Sequence, residues 1–115
     1  RLEALADEFE VLGPADPARR NGITTLVCRR RGVVSLWDED VTGIGEILDH
    51  RANVMVRTGE LCVHSWFREH GISREREKLR ASLYLYNTRE ECDIFADALA
   101  EIVGLDEYQM LPRMA

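Results

Sequence analysis

The chain has 115 residues, enough for one domain with a real core, and its 45% hydrophobic and 31% charged residues are typical of a soluble globular protein. Its net charge of -6 argues against the basic surface of a nucleic-acid-binding protein, and no apolar run reaches the roughly 20 residues of a membrane helix. Three cysteines without paired spacing argue against a disulfide scaffold and favour a reducing, cytoplasmic environment.

The first part of the chain is predicted to hold a helix, a loop and one or two strands. Apolar residues spaced i, i+3, i+4 and i+7 over Leu2–Phe9 indicate one face of a short helix. Because the chain begins directly in this helix and lacks an initiating Met, we expect it to be a piece of a longer protein. GPADPARRNG at 13–22 reads as a loop. The β-branched stretch Ile23–Arg30 predicts a strand, and a glycine turn leads to a possible partner strand at Val33–Trp37.

Helices and strands are predicted to alternate through the middle of the chain. The acidic stretch DEDV at 38–41 favours the start of a helix that runs through Leu48, since carboxylates stabilise the positive end of a helix dipole. The alternating residues of Asn53–Arg57 predict a short strand. A short helix is predicted over Ser65–His70, ended by a glycine, and a further strand over Leu79–Tyr86.

The last helix is predicted from both its start and its apolar stripe. Thr88 and Glu91 have the spacing of a capping box, in which each side chain binds the other residue's backbone N–H. Behind them, helical spacing is kept by Cys92, Phe95, Ala96, Leu99, Ile102 and Val103. The domain is expected to span 1–105, followed by a loosely held tail at 106–115. The element order predicts a small α+β domain with helices on one face of a mostly antiparallel sheet.

The metal-binding patterns in the sequence are weak. DEDVTGIGEILD matches calcium-loop positions, but the last ligand should be a glutamate and the stretch also begins a predicted helix. The matching residues are Asp38, Asp40, Thr42, Gly43 and Asp49. Cys62 and His64 supply only two ligands, and no other spacing completes a tetrahedral zinc set. No metal site is predicted.

Cys62 differs from the other two cysteines because it follows a predicted strand in a loop. Gly59 lets the backbone pass closely there, and the charge of Arg57 favours the thiolate, which is the nucleophilic form. Cys28, in mid-strand, and Cys92, on the apolar stripe, are predicted to be small core residues. The pattern alone fits either a nucleophile or an unreactive loop thiol.

Arg80 introduces a charge into the otherwise apolar strand RASLYLY. A guanidinium there needs a partner, and it can bind a carboxylate through two parallel hydrogen bonds. The alternative is an edge-strand charge that faces water. The sequence leaves both interpretations open.

VRTGELC at 56–62 and LRASLYLYNTREE at 79–91 together resemble the C-terminal small domain of class V, fold type I pyridoxal-phosphate enzymes. The likeness is to the group II cysteine desulfurases and selenocysteine lyases of the SUF type, which have an R-[TS]-G-x-x-C loop and an R-[AV]-S strand followed by Y-N-T. GPADPARRNGITTLV and DEDVTGIGEILDHRANVMVRTG extend it, so that nearly all of 1–105 is covered. The short cysteine loop favours group II over group I.

This resemblance implies that Cys62 is the nucleophile that takes sulfur from L-cysteine as a persulfide, with release of alanine, for iron–sulfur cluster assembly. It implies that Arg80 binds the substrate carboxylate. The residues implied to shape the loop around the thiol are Arg57, Thr58, Gly59, Glu60 and His64. The implied partners are a sulfur-acceptor or iron–sulfur scaffold protein and, in the full-length protein, a second copy in a homodimer.

The sequence also departs from the family pattern. Glu60 and Leu61 stand where the family commonly has two histidines, and the Glu60 carboxylate would repel a neighbouring thiolate. The pyridoxal phosphate of the family is bound by a large domain that this chain lacks, and the only lysine, Lys78, lies beside Arg80 rather than in a Schiff-base context. We therefore expect this chain alone neither to bind the cofactor nor to turn over cysteine.

Two other interpretations remain open from the sequence. The chain could be the small domain of another class V aminotransferase, lyase or epimerase in which Cys62 is incidental. It could also be a non-catalytic module that carries sulfur or mediates assembly. The products formed from cysteine would distinguish the first of these from a desulfurase.

Overall fold

The computed structural model describes residues 1–32 and 43–114. The strands are β1 (Phe9–Val11), β2 (Ile23–Arg31), β3 (Arg57–Thr58) and β4 (Arg76–Ser82). The helices are α1 (Ile44–Ala52), α2 (His64–Glu69), α3 (Arg89–Val103) and α4 (Asp106–Gln109), with short 3-10 helices at Leu2–Leu5 and Pro17–Arg19. The strands form one antiparallel sheet in the order β1-β2-β4-β3. The predicted α+β class is confirmed.

The two faces of this sheet are covered differently. On one face, Leu26 and Leu79 are fully buried in the main core, which α1 and α3 complete with Leu48 and Leu99. Side chains alternate between the faces of a strand, so Val27 points to the opposite face. A smaller cluster forms there, in which Val27 packs with Phe67 of α2 and Ile72. The main core therefore stabilises one face, while the other keeps uncovered positions.

Helix α3 confirms the prediction from its capping box and apolar stripe. The Glu91 backbone N–H donates to Thr88 Oγ1 at 3.2 Å, and the Thr88 N–H donates to Glu91 Oε2 at 2.8 Å. Hydrogen bonds from the Asn87 side chain and the Thr88 backbone lower the pKa of Glu91. On the stripe, Leu99 and Ile102 are almost completely buried.

Three further local predictions are confirmed with small shifts of their ends. The strand predicted at Ile23–Arg30 is β2, and the predicted loop at 13–22 contains only a 3-10 turn, which Asp16 caps by accepting from the Ala18 N–H. The short helix predicted at Ser65–His70 is α2, and Gly71 follows it with a φ of 69°. The left-handed conformation that ends this helix favours glycine.

The helix predicted over Leu2–Phe9 is wrong beyond its first turn. A 3-10 helix ends at Leu5, and Phe9 lies in β1 opposite Cys28. An isolated segment of this length is too short to be a stable helix. Pairing with β2 satisfies its backbone instead and buries the Phe9 ring, with its centroid 6.3 Å from that of Tyr108.

The strand predicted at Asn53–Arg57 is displaced toward its end. Asn53 has a left-handed φ of 54° and ends α1, with its N–H donating to the Asp49 carbonyl. Val54 and Val56 pack against the main core without being part of a strand, and only Arg57 and Thr58 pair with β4. The alternation in the sequence therefore reflects packing rather than a ladder of hydrogen bonds.

The strand predicted at Leu79–Tyr86 begins and ends earlier, at Arg76–Ser82. Its start is charged: Arg76 and Lys78 form ion pairs with Glu10 and Glu60, and Glu77 accepts from the Ile44 N–H. The sequence does not reveal these distant partners. Beyond Ser82, the exposed Leu85 and Tyr86 form a turn, and the Tyr84 N–H donates to Asn87 Oδ1. The apolar half of the predicted strand therefore lies outside the sheet.

Residues 106–114 are held in place rather than loosely attached. The Tyr108 hydroxyl and the guanidinium groups of Arg30 and Arg113 each donate to the Glu8 carboxylate, all at 2.9 Å. We call these four residues the Glu8 cluster. The hydrogen bonds, above all that from Arg30, lower the pKa of Glu8, and burial raises that of Tyr108. The Met114 N–H also donates to the Arg29 carbonyl, so a buried carboxylate and a backbone bond fix the segment.

Several predictions fall within residues 33–42, which lie outside the described part of the chain. They are the possible strand Val33–Trp37, the acidic helix start at 38–41, and the calcium-loop residues Asp38, Asp40 and Thr42. The helix predicted through Leu48 is α1. Its first N–H, that of Ile44, donates to Glu77 Oε1 at 2.9 Å, although burial raises the pKa of this carboxyl group.

Candidate functional site

Gly59, Glu60 and Cys62 of the cysteine motif lie in a short loop that joins β3 to α2. This Cys62 loop (residues 59–63) begins at Gly59, whose φ is 87°, and continues through Leu61 and Cys62 with φ of 53° and 63°. Left-handed backbone costs a non-glycine residue roughly 1–2 kcal/mol. Two such residues in succession indicate a conformation that the surrounding structure enforces.

The loop exposes its thiol and buries its neighbour. Cys62 is exposed to solvent, whereas Leu61 packs against the cluster around Phe67. The other thiols are less accessible: Cys28 is buried, which raises its pKa, and Cys92 is partly buried. Cys62 is thus the exposed thiol of the three, as a nucleophile that meets a substrate must be.

Arg80 and Arg57 face each other directly across the β3–β4 pair. Arg80 also lies opposite Thr25 of β2. The alternation along β4 puts Arg80 on the face opposite Leu79, and therefore on the side away from the main core. Two arginines in register on one sheet face repel each other unless an anion lies between them.

Neither arginine is neutralised by the described part of the chain. The ion pairs among residues 1–32 and 43–114 involve neither Arg57 nor Arg80. Arg80 Nε is buried and has no hydrogen-bond partner there. A buried donor without a partner is costly, and a carboxylate would satisfy it while cancelling the repulsion. The Arg57–Arg80 pair thus has the positive charge and, in Arg80 Nε, the unpaired donor that an anion-binding site needs.

Glu60 does not act as a free charge beside the thiol. Its Oε1 accepts from Lys78 Nζ at 2.7 Å, and its side chain is only 14% exposed. The repulsion expected between Glu60 and the Cys62 thiolate is therefore offset by a neighbouring ammonium. The pairing of Glu60 with Lys78 is not predicted from the sequence. The available signal was the position of Lys78 two residues before Arg80, on the same strand face.

The remaining predicted residues are not all on this face. Thr58 lies opposite Leu79, and a Cβ added at Gly45 would lie 2.6 Å from Thr58 Cγ2. Its methyl group therefore lies against α1, away from the arginines. His64 is exposed at the first position of α2, two residues beyond Cys62.

The described residues do not fit a pyridoxal phosphate site of their own. Such a site needs a lysine that can form a Schiff base, and Lys78 is the chain's only lysine. Its side chain is 1% exposed and binds Glu60 and the Ser73 carbonyl, so its amine is not available. No cluster of three metal-binding side chains occurs among residues 1–32 and 43–114, nor does any helix there have the length and hydropathy to cross a membrane.

Comparison with known proteins matches residues 1–95 to the family model "Aminotransferase class-V". A probable cysteine desulfurase of Aeropyrum pernix is 33% identical over 104 residues, which cover 89% of this chain and 23% of that protein. A probable cysteine desulfurase of Methanothermobacter thermautotrophicus is 32% identical over 66 residues, 57% of this chain and 16% of that protein. The chain thus spans less than a quarter of the length of these relatives. No solved structure matches it significantly.

Proposed function

The chain belongs to the class V aminotransferase family, and on that premise we propose that it is the small domain of a pyridoxal-phosphate-dependent cysteine desulfurase. In this proposal Cys62 accepts sulfur from L-cysteine as a persulfide for iron–sulfur cluster assembly. The observation that carries the proposal is the Arg57–Arg80 pair, with its unpartnered Arg80 Nε. The Cys62 loop begins at the end of the strand that bears Arg57.

The arginine pair supports a role in binding the carboxylate of the amino-acid substrate. A guanidinium binds a carboxylate through two parallel hydrogen bonds, and Arg80 has a buried donor still to satisfy. The positive charge of Arg57 opposite it favours the same anion. Arg80 is therefore the proposed carboxylate ligand, and Arg57 contributes to the attraction.

Cys62 is proposed to carry out the sulfur transfer. Its thiolate sulfur forms a bond to the sulfur of the substrate while the substrate's carbon–sulfur bond breaks. The electron pair of that bond stays with the substrate carbon, which gains a proton and becomes the methyl group of alanine. Pyridoxal phosphate is expected to be bound by a large domain outside this chain, because Lys78 is not available for it.

The exposure of Cys62 also supports transfer of the persulfide sulfur to another protein. We propose a sulfur-acceptor or iron–sulfur scaffold protein as that partner, and a homodimeric, cytoplasmic full-length enzyme. A thiol in the core could not be reached by a partner's cysteine, whereas Cys62 is open to solvent.

Product analysis on the complete protein tests this function. Incubation with L-cysteine should yield alanine in an amount equal to the sulfur released, and Cys62→Ser should abolish both. Cys92→Ser removes a partly buried thiol and serves as the matched control, with activity retained. Formation of a keto acid instead of alanine would support an aminotransferase with an incidental Cys62. Unchanged alanine formation by Cys62→Ser would contradict the role of this thiol.

A further inference from the structure

We propose that Glu60 and Lys78 form a positioning pair that holds the Cys62 loop for sulfur transfer. This inference rests on the function proposed above for Cys62. The pair joins the loop to β4, the strand that also carries Arg80. It is thereby placed to fix the thiol relative to the bound substrate carboxylate.

Lys78 is buried to a degree that requires its partners. It lies in β4 opposite Val27, and its side chain is 1% exposed. Its ammonium group donates to Glu60 Oε1 and to the Ser73 carbonyl, both at 2.7 Å, and lies 5.1 Å from the centre of the Phe67 ring. A buried ammonium that lost the Glu60 carboxylate would be strongly destabilised. The location of Glu60 is therefore tied to that of Lys78.

Lys78 holds the loop through its backbone as well. Its carbonyl accepts from the Gly59 N–H at 3.2 Å. Gly59 directly precedes Glu60, which the Lys78 side chain binds. The Glu60 carbonyl in turn accepts from the Val63 N–H at 3.0 Å. One strand residue thus binds two consecutive residues at the start of the loop.

These contacts account for the left-handed backbone that follows. Leu61 and Cys62 adopt an unfavourable conformation that persists only when both sides are fixed. Glu60 fixes the upstream side, and the Val63 N–H, which donates to the Glu60 carbonyl, holds the downstream side. Between them, Leu61 packs against the Phe67 cluster. Without the Glu60–Lys78 pair, the strained residues would relax and the thiol would leave its position.

The pair should affect the transfer step more than substrate binding. Lys78 and Arg80 lie two residues apart on one face of β4, so a single strand sets the spacing between the thiol and the carboxylate ligand. A displacement of about 1 Å from the productive geometry can cost about a hundredfold in rate. Because Arg80 is unchanged, KM for cysteine should stay nearly constant while kcat falls.

The test uses the double variant Glu60→Leu/Lys78→Met, which removes both charges and keeps the side-chain volume. Replacing a buried ion pair by apolar residues is often neutral for stability, so this variant should fold. In the complete protein, hydrogen exchange at the Gly59 and Val63 amides should be at least about tenfold faster, with exchange in α3 unchanged. In the complete protein, kcat should fall by about tenfold to a hundredfold and KM should change by less than about twofold.

The exposed ion pair between Arg51 and Glu101 provides the matched control. Arg51→Gln/Glu101→Gln should leave loop exchange, kcat and KM at their wild-type values. Unchanged exchange at Gly59 and Val63 in the double variant, or an unchanged kcat per folded protein, would overturn the proposal. If the complete wild-type protein forms no alanine from cysteine, the proposed function fails, and the exchange measurement still decides whether the pair orders the loop.

Discussion

The charges of the Glu8 cluster are paired with one another, whereas those of the Arg57–Arg80 pair are not. In the Glu8 cluster, one carboxylate accepts four hydrogen bonds, two of them from Arg30, and is neutralised by two guanidinium groups. In the arginine pair, two arginines lie directly opposite each other on neighbouring strands, and the buried Arg80 Nε has no partner among the described residues. A cluster whose polar groups are all paired stabilises the fold, whereas a buried donor without a partner is one that a bound anion would satisfy. The Glu8 cluster thus maintains the domain, and the Arg57–Arg80 pair is the part proposed to bind substrate.

The largest effect on stability is expected when Glu8 is removed from the Glu8 cluster. Glu8→Ala leaves Arg30, whose side chain is 9% exposed, without its carboxylate and frees Tyr108 and Arg113. Loss of one partner of a buried pair costs about 3–5 kcal/mol of unfolding free energy, which denaturant unfolding would measure. Glu101→Ala, which breaks only an exposed pair, should cost less than about 1 kcal/mol. Equal losses of unfolding free energy in the two variants would contradict the stabilising role of the Glu8 cluster.

A change in the Arg57–Arg80 pair should weaken substrate binding and leave the stability of the domain nearly unchanged. Arg80→Gln removes one of two repelling charges, so the unfolding free energy should not fall by more than about 0.5 kcal/mol. In the complete protein, KM for cysteine should rise roughly tenfold to a hundredfold, since a hydrogen bond to a charged group contributes about 1.5–3 kcal/mol. Steady-state kinetics would measure this, with Arg51→Gln as an exposed control of the same charge change. An unchanged KM would remove Arg80 from the site.

A smaller effect is expected from pH. The pKa of Glu8 is lowered in the folded protein, chiefly by the hydrogen bond from Arg30. Its contribution to stability is therefore complete above its unfolded pKa, about 4.3, and is lost as pH falls through the lower folded pKa. Thermal unfolding followed from neutral to acidic pH should show wild type and Glu8→Gln converging at the acidic end. A stability difference that persists unchanged at low pH would contradict this role of the Glu8 charge.

The sequence predicts those helices and strands whose formation depends on residues close together in the chain. The Thr88–Glu91 capping box and the apolar stripe behind it lie within one helix, so α3 was predicted at nearly its observed position. The strand β2 is predicted nearly at its observed bounds as well, because the strand preference of its β-branched and apolar residues is local. These elements carry their own determinants.

Elements that depend on distant partners were not predicted. The strand predicted at Leu79–Tyr86 leaves out the charged start of β4, where Lys78 needs a partner, Glu60, that lies eighteen residues away. The register that brings Arg57 opposite Arg80 depends on strand ends that the sequence misplaced. Sequence patterns therefore indicate the candidate residues, and the fold shows how these residues pair.

In the proposed function, the sulfur of L-cysteine is transferred to Cys62. The most direct measurement is mass-spectrometric location of the transferred sulfur after the complete protein reacts with L-cysteine. We predict one added sulfur atom on the peptide that contains Cys62, with none on those of Cys28 and Cys92, which are less exposed. Alanine formation with no sulfur on Cys62, or with the sulfur on another cysteine of the chain, would contradict the account.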